Sequence, residues 1–340
     1  MDPLTALRQI AFRLERTRAS TYRVQAFRTA ADVVARMDPK ILKARTRAGA
    51  LHEITGIGEV TGTAIAEAVR GEVPSYLRRL EAEQTGPLVD LDRDGQALLA
   101  TLQGDLHSHS DWSDGGSPIE EMVVTAIELG HTYLALTDHS PRLKVAHGLT
   151  SERLERQLAV IEGLRPRLGS FRLLSGIEVD ILDDGTLDQT PQMLGRLDVV
   201  VASVHSKLKM EPQAMTRRMV RAIRDPHTDI LGHCTGRLVT GRGRPQSRFD
   251  AREVFEACAQ TGVAVEINSR PERLDPPSEL LNLAVDCGCL FSIDTDAHAP
   301  GQLDWRPYGV AKAVECGVPA ERIVTTWDVD RLLEWTNRPR

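Results

Sequence analysis

The chain has 340 residues, which suggests about two domains, and its 41% hydrophobic and 26% charged residues are ordinary for a soluble globular protein. No apolar run approaches the roughly 18 residues that span a bilayer, which excludes an integral membrane protein. The N-terminus is charged from its second residue and lacks the apolar block of a secretion signal, so we expect a cytoplasmic protein.

The net charge of −6 is unevenly distributed. Residues 1–86 contain 14 Lys and Arg against 10 Asp and Glu, whereas the remainder contains 28 against 38. A basic front end favours contact with a polyanion, and an acidic remainder suits metal binding.

Residues 1–84 are predicted to form a small all-α domain. Apolar residues recur at helical spacing over 4–18 and 21–37. Residues 51–69 then read as a short helix, a turn of Gly56, Ile57 and Gly58, and a second helix. Glycine tolerates the positive φ angles of such a tight hairpin and lets another backbone approach closely. Residues 85–100 have the composition of a linker.

From residue 101 to residue 340, short apolar strands alternate with amphipathic helices. The predicted strands cover 101–106, 132–137, 171–178, 198–204, 229–232, 263–267, 290–294 and 322–325. The helices between them include 119–129, 151–164, 213–223 and 251–260. This alternation predicts a parallel α/β domain, either an open sheet or a barrel, and seven or more units favour the barrel.

Side chains that can bind metal follow six of these strands. They are His107, His109, Asp114, His139, Glu178, His205, His233, Asp296 and His298. A lone histidine near a strand end is usually a core or surface residue, but six of the ten histidines occupy such positions beside acidic partners. The carboxyl ends of parallel barrel strands share one face, so these residues are expected to converge. A mixed histidine and carboxylate set suits Zn²⁺, Mn²⁺ or Fe²⁺.

The order of these motifs resembles the PHP (polymerase and histidinol phosphatase) domain over residues 104–335. GHCTGRLVTGRG, VAVEINSRPERLD and DTDAH resemble more closely the PHP domain of bacterial family-X DNA polymerases. The resemblance implies a distorted seven-stranded (β/α) barrel with two to three divalent ions, Mn²⁺ or Zn²⁺, with Fe²⁺ as a further option. It implies one ion at His107, His109, Glu178 and Asp296, a second at Glu178, His205 and His233, and a third at Asp114, His139 and His298.

The helical segment resembles the small N-terminal domain of the same polymerases, with its helix-hairpin-helix. That resemblance implies that Gly56, Ile57 and Gly58 hold a DNA phosphate without reading bases. About 17 residues separate Glu83 from Thr101, too few for a polymerase palm domain, so polymerase activity is not expected. The helix after the turn contains no lysine, so the Schiff-base lyase chemistry of some relatives lacks its nucleophile.

Basic residues on loops at the same barrel face are candidates to clamp a phosphate: Lys207, Arg237, Arg242, Arg270 and Arg273. For each of them, a solvated or structural role is the alternative. His139 is a candidate acid for the leaving group, with a metal-held water as the alternative. Asp138 and Asp294 are expected to orient metal ligands.

Three functions fit these observations. The first is a DNA-repair phosphoesterase, a 3′–5′ exonuclease or 3′-end processing enzyme that contacts the DNA backbone without sequence preference. The second is a phosphatase for a small ester of the histidinol-phosphate type. The third is a non-catalytic DNA-binding module whose metals only stabilise the fold. The complete ligand set argues against the third, and the basic helical domain favours the first over the second.

Overall fold

The computed structural model describes residues 1–338 and divides into two compact units. The first comprises Met1–Pro87 with Ala299–Gln302, and the second comprises Leu88–His298 with the chain from Leu303 onward. Within residues 1–338, no helix combines the length and the apolar character that a membrane span requires.

The first unit is a helical domain. Its helices are α1 (Pro3–Arg16), α2 (Thr21–Arg36), α3 (Pro39–Arg47), α4 (Glu59–Val69) and α5 (Ser75–Glu83). Leu7, Ile10 and Phe27 are among the residues that fill its core. Arg28 of α2 donates from Nε and Nη2 to the two carboxylate oxygens of Glu15 on α1, each at 2.7 Å, and both side chains are buried. This paired contact satisfies two charges that would be costly to bury singly.

The second unit begins with a helix inside the segment that the sequence assigns to a linker. Arg93–Thr101 forms α6, whose N-cap Asp92 accepts a hydrogen bond from the backbone of Gly95 at 2.8 Å. Leu98 on this helix is buried in the core of the second unit. The linker predicted over residues 85–100 is therefore shorter, because Asp92 caps a helix where the composition suggested solvated chain.

The remainder of the second unit is a parallel seven-stranded sheet in the order β1 to β7, curled into a nearly closed barrel. The strands are β1 (Gly104–Asp105), β2 (Tyr133–Leu136), β3 (Arg172–Asp180), β4 (Val199–Ser203), β5 (Ile230–Leu231), β6 (Ala264–Asn268) and β7 (Leu290–Asp294). The helices are α7 (Ile119–Glu128), α8 (Ser151–Leu164), α9 (Pro191–Leu194), α10 (Pro212–Ile223), α11 (Ala251–Thr261), α12 (Ser278–Asp286), α13 (Arg306–Glu315) and α14 (Val329–Thr336). The predicted α/β barrel class is confirmed.

Two carboxylates join the first and last strands. Asp294 accepts a hydrogen bond from the backbone of Leu106 at 2.8 Å, and Asp105 accepts from the backbone and hydroxyl of Thr295 at 3.0 and 2.6 Å. A single backbone hydrogen bond from His109 to Ala297 continues this seam at 2.8 Å. Side chains thus replace part of the strand ladder where β1 is only two residues long.

The alternation of strand side chains decides which residues reach the site. Val199 and Val201 of β4 pack in the interior cluster with Trp327 and Trp335, whereas Val200 and Ala202 pack in the outer core with the surrounding helices. Trp335 of α14 donates to the carbonyl of Gly262, just before β6, so the two tryptophans fill the amino-terminal end of the barrel. The interior is therefore apolar at that end, and polar side chains emerge only towards the carboxyl ends of the strands.

Candidate metal centre

All nine predicted metal-binding side chains converge at the carboxyl ends of the strands, around Glu178. One oxygen of Glu178, Oε2, lies 2.9 Å from His139 Nδ1, 3.3 Å from His107 Nε2 and 3.6 Å from His109 Nε2. The other, Oε1, lies 2.8 Å from His233 Nε2 and 3.2 Å from His205 Nε2. A single buried carboxylate therefore faces five imidazoles that come from four strand ends.

The ligand atoms form overlapping groups in which every atom lies within 4.8 Å of the others. The groups are His107, His109 and Asp296; His107, Glu178 and His233; His139, Glu178 and His205; and His109, Asp114, His139 and His298. Their composition is close to the three sets that the family resemblance implies. They differ in four ways: Glu178 is absent from the group of His107, His109 and Asp296, His233 groups with His107 and not with His205, His109 also joins the outer group, and His139 also joins Glu178 and His205. How the nine donors are shared among ions stays a proposal.

Several buried polar atoms of these residues lack hydrogen-bond partners, as expected of atoms that bind metal ions. His107 Nε2, Glu178 Oε2 and both ring nitrogens of His109 and His205 are buried without a hydrogen-bond partner among the described residues. Buried polar atoms are almost always satisfied, so such a concentration of unsatisfied donors and acceptors requires an explanation. Histidine nitrogens mixed with carboxylate oxygens are the ligands that divalent transition metals and zinc prefer.

The electrostatics of the nine-residue group show how strongly its members interact. Although burial opposes it, the imidazoles of His205, His107 and His139 hold the pKa of Glu178 well below its usual value. Burial also lowers the pKa of His205, but Glu178 and Asp180 outweigh it and raise that pKa to about 9. For His109, burial and the neighbouring His298 and His139 lower the pKa well below its usual value. The carboxylates already compensate positive charge at this point, as they would for bound cations.

Two carboxylates that the sequence did not single out contact the candidate ligands from the side away from Glu178. Glu266 of β6 contacts His107 Nδ1 at 2.5 Å and accepts a hydrogen bond from the backbone of His233 at 2.5 Å. Asp180 lies 3.5 Å from His205 Nδ1. Glu266 is an acidic residue inside the apolar stretch Ala264–Asn268, and that position was the signal that could have identified it.

Asp138 and Asp294, which were expected to orient metal ligands, bind neighbouring backbone and side-chain groups instead. Asp138 accepts hydrogen bonds from Ser110, Ser113 and Gln157, and so it fixes the loop that leads to Asp114. Asp294 lies in the β1–β7 seam described above. None of these hydrogen bonds of Asp138 and Asp294 involves an imidazole.

We expect Glu266→Gln to weaken metal binding about 10- to 100-fold, since carboxylates that orient metal-binding histidines contribute on that scale. The amide keeps the shape of the side chain but removes the charge that fixes the proton of His107 on Nδ1. Competition with a chromogenic chelator measures the affinity. Asp225→Asn is the matched control, because Asp225 contacts His227 Nδ1 at 2.9 Å outside the nine-residue group. Equal affinities for both variants would contradict the orienting role.

The candidate phosphate-clamping residues separate into two classes. Arg270 lies 2.9 Å from His298 Nδ1, and Arg273 donates from Nε to Asp296 at 3.0 Å. Nη1 of Arg273 is buried and has no hydrogen-bond partner within residues 1–338. Arg237 instead donates to the backbone carbonyls of Arg273 and Leu274, so it supports the loop that carries Arg273.

Lys207 and Arg242 do not contact the nine-residue group. Lys207 has a positive φ of 52° and pairs with Asp183 at 2.5 Å, with its side chain largely exposed. Arg242 is exposed between two glycines of a hairpin. His139, the candidate acid, lies within the group, with its Nε2 3.4 Å from Asp114 Oδ1.

In the helical unit, the predicted DNA-binding turn precedes α4. The short helix predicted before this turn is a single 3₁₀ turn, Leu51–Glu53, and Gly56 within the predicted turn has a φ of 92°. Ile57 is buried in the helical core, and Gly58 is exposed with its N–H bonded to Thr61 Oγ1 at 2.9 Å. Exposed basic residues of α3, which contacts α4, are Lys40, Lys43, Arg45 and Arg47. Arg45 is paired with Glu53 at 2.9 Å.

Comparison with known proteins supports the family resemblance. Residues 105–270 match the family model described as the PHP domain. Over 235 residues, the chain is 41% identical to the DNA polymerase/3′-5′ exonuclease PolX of Bacillus subtilis, which covers 68% of this chain. The chain spans 41% of that longer protein.

Proteins named as phosphatases are also similar to this chain. A probable phosphatase of Thermoanaerobacter sp. is 27% identical over 243 residues, which cover 68% of this chain and 93% of that protein. A crystal structure of histidinol phosphate phosphatase from Lactococcus lactis, complexed with zinc, L-histidinol and phosphate, aligns with a TM-score of 0.43 and 17% identity. That alignment covers 63% of this chain and 92% of the phosphatase.

Proposed function

Because residues 105–270 form a PHP domain, a domain shared with phosphoesterases, we propose that this chain is a metal-dependent phosphoesterase that acts on DNA. The proposed activity is that of a 3′–5′ exonuclease or a 3′-end processing enzyme in DNA repair. The observation that carries the proposal is the buried carboxylate of Glu178 among five imidazoles, beside Asp296 and two arginines.

Bound divalent cations would stabilise the negative charge of the phosphoryl oxygens and lower the pKa of water at the site. The residues proposed to hold them are the nine of the group described above, and Mn²⁺ or Zn²⁺ suits that donor set best. The chain itself supplies two guanidinium groups at the same place. Arg270 and Arg273 are positioned to donate hydrogen bonds to phosphoryl oxygens, and their fixed charge requires no reorganisation during the reaction.

The exposed turn, the basic residues of α3 and the name of one relative support DNA as the substrate. The helical unit exposes the turn at Gly58 beside basic residues of α3, of which Lys40, Lys43 and Arg47 have no acidic partner among the described ion pairs. Backbone amides and basic side chains together are suited to DNA phosphates. In addition, the Bacillus relative carries a 3′-5′ exonuclease in its name. The alternative is a phosphatase for a small ester of the histidinol-phosphate type, which would share the metal-binding residues but has no use for the basic helical unit.

The test is hydrolysis of a primer labelled at its 5′ end, assayed with the full chain loaded with Mn²⁺. We expect a ladder of products shortened from the 3′ end. Released phosphate from histidinol phosphate is measured in parallel. Asp296→Ala is the control for contaminating nucleases, because Asp296 belongs to the nine-residue group. Turnover of the small ester with intact DNA would refute the DNA proposal and favour the alternative.

The role of the helical unit is examined in the same assay with Lys40, Lys43 and Arg47 all replaced by alanine. The variant is expected to bind DNA more weakly and to lower the slope of log affinity against log salt by up to about 3. Hydrolysis of a small chromogenic phosphoester should not change. An unaltered salt slope would remove α3 from the DNA-binding surface.

A further inference from the structure

Candidate metal-binding residues line an open cavity of about 470 Å³, together with Arg270, Glu272 and Arg273 and with residues of two further loops. Asp114, His139, His205, Asp296 and His298 are among the residues that line it. Leu143 comes from the loop of residues 140–148, and Leu238 and Thr240 come from the hairpin of residues 236–244. A metal centre therefore lies below two apolar side chains that are not needed for binding a phosphate group.

The 140–148 loop is held firmly in place. Arg153 donates to the carbonyls of His147, Gly148 and Trp112, and the backbone N–H of Arg142 donates to Asp188 at 2.5 Å. Ala146 is buried, whereas Val145 beside it is 88% exposed. No other large hydrophobic residue among the described ones is more exposed. The fixed loop presents an aliphatic tip to solvent, beside the exposed Lys144.

The 236–244 hairpin is likewise held by hydrogen bonds and exposes an aliphatic side chain. Leu238 and Arg244 exchange two backbone hydrogen bonds of 2.9 Å, and Val239 N–H donates to the carbonyl of Glu272 at 2.7 Å. Val239 is 50% exposed. Arg242 is exposed at the tip, between glycines with φ angles of 64° and 65°. Each loop thus combines an apolar residue in the cavity with an exposed valine and exposed basic residues, which are Arg142 and Lys144 in the first loop and Arg242 in the second.

We propose that the 140–148 loop and the 236–244 hairpin bind the terminal nucleotide of a DNA 3′ end in an unpaired state. Leu143 and Leu238 cover its base and sugar in the cavity. Val145 and Val239 pack against the next base pair as a wedge, and Lys144 and Arg242 contact the adjacent phosphates. This inference rests on the proposed DNA substrate and states how its end is recognised.

The size and chemistry of the cavity support this arrangement. Its volume of about 470 Å³ lies in the range of small-ligand sites, which is large enough for one nucleotide. Enzymes whose reacting atoms lie in a pocket must extrude the nucleotide, and apolar side chains are common wedges between base steps. Basic residues outside the wedge complement the phosphate backbone. A small phosphate ester would leave both exposed valines and both tip cations without a ligand.

The test compares the full-length, Mn²⁺-loaded protein with the double variant Val145→Ala and Val239→Ala. Hydrolysis of a blunt duplex 3′ end is expected to fall about 5- to 10-fold, the effect of losing a few buried methyl contacts. Hydrolysis of single-stranded DNA and of a chromogenic phosphodiester should stay within about 2-fold. Val124→Ala is the matched control, since Val124 is a 50% exposed valine on α7 that does not line the cavity.

A second readout follows the terminal base directly. A duplex with 2-aminopurine at its 3′ terminus, protected by a phosphorothioate in its last linkage, should gain fluorescence on binding as the base unstacks. The double variant should show a smaller gain. Equal loss of activity on duplex and single-stranded DNA, or no loss on either, would refute the wedge proposal. The proposed DNA substrate would not be affected by that result. If the unaltered protein hydrolyses only the small ester, the proposed function itself fails.

Discussion

Glu178→Gln is expected to lower metal-dependent ester hydrolysis by at least about 10³-fold, the scale seen when a group that organises charge stabilisation in an active site is removed. Both oxygens of Glu178 face imidazoles, at distances between 2.8 and 3.6 Å. Glutamine has nearly the same shape, but it is neutral and turns an NH₂ group towards nitrogens that are proposed to act as metal ligands. The substitution therefore removes a negative charge that two of the candidate metal-binding groups share.

Metal content by elemental analysis and hydrolysis of a chromogenic phosphoester measure the result. We expect the variant to retain less than one ion per chain while its affinity for DNA falls little, since the basic residues of α3 lie in the helical unit. Glu128→Gln, an exposed carboxylate at the end of α7, is the control. A variant with full metal content and full activity would mean that Glu178 is not a shared ligand, and the proposed centre would be wrong.

The barrel could be predicted because its strands carry strong local signals. Apolar segments of the right length alternate with amphipathic helices, and α8 has the predicted bounds Ser151–Leu164. The strand predicted over 322–325 is wrong, because one 3₁₀ turn ends at Arg322, another begins at Val324, and only Ile323 between them forms a β-bridge, with Phe291. Their β-branched composition favours a strand, but their backbone hydrogen bonds are those of turns, such as Thr326 N–H to the carbonyl of Ile323 at 3.1 Å. The helix α6 was missed because the linker composition of the residues before it concealed the capping role of Asp92.

The candidate metal ligands could be located from sequence for a geometric reason. Side chains that follow parallel strands emerge at one face, whatever their separation along the chain. The same argument does not apply to long cations on loops. Lys207 pairs with Asp183, and Arg237 binds backbone carbonyls, because the local turn decides the direction of each side chain. Likewise, Glu266 supports His107 through contacts that depend on barrel curvature, which no local pattern records.

Arg273→Ala is expected to lower kcat/KM for phosphoester hydrolysis about 10²- to 10³-fold, the usual cost of removing one preorganised donor to a developing oxyanion. Arg273 is largely buried beside Asp296, and its Nη1 has no partner in the described chain. A buried guanidinium N–H without an acceptor is costly, so a bound phosphoryl oxygen is its expected partner. The nearby carboxylates of Asp296 and Glu178 outweigh burial and raise the pKa of Arg273, so the group stays charged.

The measurement must separate phosphate binding from support of Asp296. If Arg273 contacts substrate, the alanine variant keeps its metal ions, and Arg273→Lys restores part of the activity because it returns the charge without the planar pair of donors. Arg224→Ala, an exposed arginine just after α10, is the control and should behave as the unaltered protein. Loss of metal in parallel with activity would instead assign Arg273 to the positioning of Asp296. The phosphate would then depend on Arg270, whose position beside His298 places a second guanidinium at the same end of the cavity.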